Sequence, residues 1–492
     1  MHKPMRFSRR FSRRSLLRLP LLRLPLLASL AVLAACGTVG PDYQLPAAAA
    51  IGRPAAAAPF ASAAEPAFRS EPLPPHWWRL YQDPELDALV GKAFAANTDL
   101  RVAAANLARA RAVQQEVAGA ADPVIGASGA PAYGRASAAA KGLPDPLADG
   151  YSHDAGISVS YQLDLFGKIR RGVEAADADS AAAQAALDLA RVTVAADTAR
   201  AWVDACGARH QLGVARQSVA LQQRVVELTG RRIRAGRGTA LDDSRARAQL
   251  EQLRAAIPPL LAQTRTAQFR MAALTGRAPA EMADGELACS AAPRLAQPVP
   301  VGDGAALLRR RPDIRGAERS LAAATARIGV AVSELYPSVS LGLSAGSSGA
   351  LDRFGAGNAL RWSLGPLVSW TLPTSAGHAR VAEAESATAA ALARFDGIVL
   401  NALRETEAAM TVYARELDRN TALRAAREQS ALASRQSHRL YQAGKIDFLA
   451  VLDADRTLAA GDSALAASDA QVAADQVALF LALGGGWEQT GG

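Results

Sequence analysis

The spacing of hydrophobic positions changes period twice along this chain. Ile157, Val159, Tyr161, Leu163 and Leu165 alternate with Ser158, Ser160, Gln162 and Asp164, the period of two that predicts a strand with one apolar face. After Gly167 the alternation stops, and no proline occurs before Pro258, so a long helix is expected where the strand ends. The same change recurs about 210 residues later. Leu360, Trp362, Leu364, Val368, Trp370 and Leu372 alternate with small or polar residues, and the chain holds no proline after Pro373. Two copies of one strand-to-helix junction imply an internal repeat.

The flanking segments repeat as well. An Ala-rich helical pattern opens at Asp99-Leu100-Arg101 and stops at Asp122-Pro123; a second opens at Asp313-Ile314-Arg315 and stops at Tyr336-Pro337. Proline ends each one because the residue before it is pushed out of the helical region. A first strand follows, clearest at Val339, Leu341, Leu343 and Ala345. Then comes a Gly/Ser/Ala/Pro-rich loop, about 129–151 and 345–358, and the junction strand. Each repeat therefore reads as helix, β-hairpin, long helix and returning helix.

The long helices run from Gly167 to Gly236 and from Gly377 to Gly444. At 1.5 Å per residue each reaches roughly 100 Å. Steps of three and four at Leu189, Val192, Ala196, Ala199, Val203 and Cys206, and at Phe395, Val399, Ala402, Thr406, Ala409 and Tyr413, predict coiled-coil packing. A second seam at Leu400, Leu403, Met410 and Leu417 points to a wall of helices. Glycine turns at Gly236 and Gly444 reverse the chain. Returning helices are expected from Leu241 to about Leu274 and from Phe448 to about Leu483.

The N-terminus has a separate character. The first 35 residues carry eight of the 55 Lys/Arg and no acid, and an apolar run from Leu24 to Ala35 leads to Leu33-Ala34-Ala35-Cys36-Gly37. That run is too short to span a bilayer and fits an export signal. A cysteine directly after Leu-Ala-Ala looks like a bacterial lipobox, in which Cys36 becomes the lipidated first residue. Gly37 stands where a signal for inner-membrane retention would place Asp, which favours the outer membrane. The formal charge of +9 belongs almost wholly to this leader, since 47 Lys/Arg against 46 Asp/Glu remain. A nucleic-acid partner thus loses its support.

The expected organisation is a signal peptide at 1–35, a lipid-anchored extended tether at 36–75, a first repeat at 76–276, a linker at 277–304 and a second repeat at 305–492. Cys206 and Cys289 could pair in an oxidising periplasm, but two separate buried thiols are the simpler expectation. The six histidines are dispersed without metal-ligand spacing, and neither a phosphate-binding loop nor a nucleophile elbow is present. No enzyme and no cofactor is expected.

Four strands with one apolar face leave two unpaired edges, which lipid does not tolerate, so several chains would have to close a barrel together. The lipobox with Gly40-Pro41-Asp42-Tyr43, the pair Trp77-Trp78, the run Leu163-Asp164-Leu165-Phe166-Gly167 and the tip Tyr441-Gln442-Ala443-Gly444 resemble the outer membrane efflux proteins. These are the TolC-like family, in its NodT/OprM-like lipoprotein branch. Pro373-Thr-Ser-Ala-Gly377 departs from the Leu-Phe type of sequence usual there. The resemblance implies a mainly α homotrimer, with a 12-stranded β-barrel in the outer membrane continued by a periplasmic α-helical barrel. Such a trimer is the exit duct of a tripartite pump, partnered by a periplasmic adaptor (membrane fusion) protein and an inner-membrane transporter. It would pass drugs or other toxic compounds outward. A periplasmic coiled-coil adaptor lipoprotein, or the exit duct of a type I protein secretion system, is the alternative.

The same resemblance suggests the site residues. The turns at Gly236 and Gly444 would meet the adaptor. Leu449 and Asp453 are i, i+4 neighbours on one helical face, and family members close their periplasmic end with rings of such residues. That role is carried to Leu449 and Asp453, and to Asp447, for which a helix N-cap is the plain alternative. For Asp453 the plain alternative is a solvated pair with Arg456. The first-repeat equivalents are Leu241 and Arg245.

Overall fold

A computed structural model describes residues 37–139, 142, 144–283, 287, 289, 291–295 and 297–486. In chain order the main elements are α1 (Pro84–Ala96), α2 (Thr98–Ala118), β1 (Val124–Gly134), β2 (Gly150–Leu163), α3 (Lys168–Arg234), α4 (Ala240–Ala255) and α5 (Ile257–Leu274). The second half follows with α6 (Pro312–Ser333), β3 (Ser338–Ala350), β4 (Leu360–Ser369), α7 (Ser375–Gln442) and α8 (Phe448–Ala482). The repeat is present as expected, with long helices of 67 and 68 residues. Among the described residues no helix is long and apolar enough to cross a membrane.

One compact unit takes in Val113–Asp177 and Ala322–Thr388 with Gly37–Tyr43. It holds an antiparallel sheet of order β1-β2-β3-β4, in which a hairpin from each repeat contributes two neighbouring strands. Asp164 starts α3 by accepting from the backbone N–H of Ile169 (3.0 Å) and Arg170 (2.9 Å). The hairpins run further than the sequence suggested. β1 continues to Gly134 and β3 to Ala350, into stretches expected as loop. Gly, Ala and Ser there pair through the backbone while showing no alternation. β4 instead ends early, at Ser369. Trp370 leaves the ladder and its indole N–H donates to the carbonyl of Leu335 (3.1 Å).

The second unit comprises Gln44–Ala112, Ala178–Leu321 and Ala389–Gly492. Its core is built on Trp77, stacked on Phe480 with ring centroids 4.5 Å apart, with Trp202, Met271, Met410 and Leu479 fully buried. Asp83 caps α1 at Glu85 and Leu86 and also accepts from the Trp202 indole (2.8 Å). The first helical seam is buried from Val192 to Cys206, and Phe395, Val399, Ala402 and Thr406 are buried on α7. The second seam divides: Met410 is buried, while Leu400 is exposed.

Three expectations are corrected here. The segment read as an extended tether is folded onto the core from Ala49 onward. Phe60, Phe68 and Leu73 are buried, and the backbone N–H groups of Ala50 and Ala61 donate to Asp396 (2.7 Å) and Glu407 (2.6 Å) on α7. The apolar residues that do this are too widely spaced among alanines to show a period. Phe68–Arg69 also pairs in parallel with Val299–Pro300 of the inter-repeat linker. The returning helix of the first repeat is two helices, broken at Ala256 because Pro258 and Pro259 offer no N–H to the turn before them. Finally, Cys206 and Cys289 form a disulfide, not two separate thiols, with their Cα atoms 5.3 Å apart. The linker returns over α3, where Arg209 holds the carbonyl of Leu287, and this brings distant cysteines together.

Burial also raises the carboxyl pKa of Asp475, with Glu416 nearby adding to the rise and Gln471 opposing it. A raised folded-state pKa means the charged form is penalised on folding, a cost present above the ordinary carboxyl range and absent in acid. Asp475→Asn should therefore increase the unfolding midpoint near neutral pH, with the gain disappearing toward about pH 3. Equal gains at both values would show that charge burial is not the cause. For the disulfide, neither Cys206 nor Cys289 should react with maleimide in denaturant until reductant is added. The Cys206→Ala, Cys289→Ala variant should lose roughly 2–4 kcal/mol of stability in denaturant titration.

Candidate functional site

The sheet has two chemically distinct faces. Across all four strands one row reads Ile125, Val159, Leu343, Leu364, and the next reads Gly126, Ser158, Ser344, Ser363. On the apolar face Trp362 is 78% exposed and Ile125 73%, values at which a large side chain needs an apolar surrounding outside its own chain. The other face is small and polar. The Ser344 and Ser363 hydroxyls lie 2.8 Å apart, and Arg361 reaches over Gly346 to pair with Asp154. Among the described residues, β1 and β4 are unpaired on their outer edges.

In the second unit the tips lie side by side. The Arg232 guanidinium, at the end of α3, sits 4.7 Å from the ring centroid of Tyr441 at the end of α7. Tyr441 in turn meets Phe448 across the turn, with centroids 5.8 Å apart. Gly236 and Gly444 have φ of +69° and +70°, and no atom lies within 4 Å of where a Cβ would stand at either. These turns are open to a partner, and only their backbone conformation demands glycine. Thr239 and Asp242 cap α4 reciprocally, and Asp243 pairs with Arg247 (2.7 Å).

The expected aperture residues separate into two kinds. Leu449 and Asp453 are both exposed on α8, next to the buried Val451 and Leu452, so their shared face is free of this chain's own core. Asp453 makes no ion pair with Arg456 among the described residues. Asp447 is the N-cap of α8, its carboxylate accepting from the N–H of Ala450 at 2.9 Å. Its position is thus explained by the helix start alone. Leu241, the first-repeat equivalent, is exposed as well. Cys36 lies outside the described residues.

Sequence reasoning missed a groove of about 330 Å³ beside these residues, with Leu221, Val225 and Leu253 on its apolar side. On its polar side Asp455 accepts from the Ser434 hydroxyl (2.7 Å) and lies 2.9 Å from His438 Nε2. His438 and Asp455 are 17 residues apart across the turn at Gly444. Antiparallel pairing of α7 with α8 was the only signal that could have joined them.

Comparisons with known proteins agree with this geometry. A family model described as outer membrane efflux protein matches residues 89–277 and 305–485, one span per repeat. Nodulation protein T of Rhizobium leguminosarum bv. trifolii is 30% identical over 414 residues, covering 84% of this chain and 88% of that protein. Outer membrane protein OprJ of Pseudomonas aeruginosa is 31% identical over 427 residues, covering 84% and 86%. Among solved structures, the outer-membrane channel OprN superposes with a TM-score of 0.84 at 35% identity, covering 92% of this chain and all of that one.

Two outcomes are expected at the tips. Valine at positive φ costs roughly 1 kcal/mol or more. A Gly236→Val, Gly444→Val double variant should therefore lose export while its oligomer stays intact; normal export would remove the docking role. Leu449→Ala with Asp453→Ala should raise single-channel conductance in planar bilayers and weaken cation preference. Conductance unchanged from wild type would place the constriction elsewhere.

Proposed function

Because the chain belongs to the outer membrane efflux protein family, we propose that it is the outer membrane channel of a tripartite efflux system. It acts as a passive homotrimeric duct in the outer membrane, extending into the periplasm. Small toxic molecules reach it from an inner-membrane transporter through a periplasmic adaptor. The observation that carries this reading is the four-stranded sheet with an exposed apolar face, a small polar face and two open edges. Three such sheets joined edge to edge would pair every strand, turn the apolar face to lipid and leave Ser158, Ser344 and Ser363 lining a wet lumen.

The helical tips fit the rest of the duct. Gly236 and Gly444 would present the adaptor-docking end, and rings of Leu449 and Asp453 would narrow the aperture, while Asp447 contributes as a cap. A ring of carboxylates attracts cations and repels its own members, so an adaptor need supply only a modest differential binding energy to favour the open state. The duct itself has no catalytic step, and transport draws its energy from the partner transporter. An adaptor would carry one helical hairpin flanked by β domains. Here both repeats give strands to a single sheet, which supports the channel instead.

Cys36 would carry the lipid, though the barrel alone should hold the protein in the membrane. Cys36→Ser should abolish incorporation of labelled fatty acid while detergent-dependent trimers persist. A water-soluble monomer from that variant would refute the barrel, and label on the variant would refute the lipid assignment.

A further inference from the structure

The segment Thr38–Asp42 is seated in a built groove. Arg171, at the start of α3, has a side chain only 5% exposed, yet its partners on one side all belong to the first described residues. Its Nε donates to the carbonyl of Val39 (3.2 Å). Nη2 donates to the carbonyl of Gly40 (3.2 Å) and to the Asp42 carboxylate (2.7 Å), and Nη1 donates to Glu174 (2.7 Å). Arg170 adds a bond to the Thr38 hydroxyl (2.6 Å), and the Val39 N–H donates to the carbonyl of Phe166 (3.1 Å).

Backbone approach on both sides requires glycine. Gly167, with φ +78°, leaves 2.4 Å between an added Cβ and the Thr38 methyl and 3.1 Å to the Thr38 Cα. Gly40, with φ +85°, leaves 2.4 Å to the Cα of Gly329 on α6. The segment Thr38–Asp42 therefore touches the junction of the first repeat through Gly167 and a helix of the second through Gly329. It also lies where β2 ends and α3 begins, the level at which apolar strand gives way to polar helix.

From this geometry we infer that Arg171, with Gly40, Gly167 and Gly329, forms a receptor for the chain's own mature N-terminus. Arg171 is a positioning residue that fixes the lipid anchor at the strand-to-helix junction. The inference rests on the reading of Cys36 as the lipidated residue. Gly37 follows that cysteine directly, so a docked Thr38 confines the point from which acyl chains enter the membrane to the height at which the strands leave it. A free N-terminus would let the lipid insert anywhere within reach of the slack. The docked one raises its effective concentration at the one place where lipid and sheet share an interface. Because both repeats build the groove, the anchor is seated only after the two have folded together.

The test is a cycle in cells on the full chain. Arg171→Ala is made in the natural protein and in a form whose leader is replaced by one cleaved without acylation. Fatty-acid label and detergent-resistant trimers are measured in each. The expected result is a loss of trimer of about fivefold or more in the acylated form, down to the lower level at which the unacylated form still assembles, and a loss of less than twofold in the unacylated form. Gly40→Ala, which keeps the Arg171 side chain but drives a Cβ against Gly329 and so unseats the segment, should reproduce the loss in the acylated form and spare the unacylated one. A similar loss in both forms would make Arg171 a merely structural residue and overturn the inference, as would a silent Gly40→Ala. Absence of label on the natural protein would instead remove the lipid reading itself, and the inference with it.

Discussion

A backbone N–H or C=O left unpaired in lipid costs several kcal/mol, and that constraint governs how this chain can be used. Its sheet satisfies the inner ladders and leaves β1 and β4 open along their outer edges, with Trp362 and Ile125 standing on the face that water would least tolerate. A single copy therefore has a sheet fit neither for water nor for a bilayer. Closure with further copies resolves both defects at once, because edge pairing and apolar burial in lipid follow from the same step. The order β1-β2-β3-β4 matters for this: the two hairpins lie side by side, so each chain offers one edge from each repeat.

The helical unit solves a different problem. Long helices rich in alanine bury little area per residue, so they need a few large side chains to fix their arrangement. Trp77, Trp202 and Phe480 do this, and all three are oriented by a hydrogen bond or by ring stacking. Asp83 serves both a helix cap and the Trp202 indole, which links the folding of α1 to α3. The Cys206–Cys289 bond then holds the inter-repeat linker against α3, at the crossing between the two repeats.

Much of this was legible in the sequence, and the exceptions have physical causes. Alternation at Ile157–Leu165 and the long proline-free runs showed both junctions, because strand and helix periods are set by backbone geometry alone. The ends of β1 and β3 were not legible: glycine, alanine and serine pair as well as valine does but display no period. The packed segment before Trp77 reads as a tether because Phe60, Phe68 and Leu73 are isolated among alanines. The shared exposed face of Leu449 and Asp453 follows from i, i+4 spacing and the Asp447 cap from its place before a helix, while their aperture role comes from the family resemblance alone. The disulfide, the His438–Asp455 pair and the Arg171 clamp could not, since each joins residues whose proximity depends on the tertiary path.

Edge-to-edge closure can be tested directly by paired cysteines, one on β1 at Ile125 or its neighbours and one on β4 between Trp362 and Val368. In one chain these edges lie on opposite sides of a four-stranded sheet, separated by two strands and about 14 Å. Adjacent strands bring Cα atoms within disulfide range. Mild oxidation of membranes should link separate chains, giving covalent dimers and trimers on non-reducing gels for pairs in one register. Only monomers across every register, from a protein still embedded in the membrane, would contradict it.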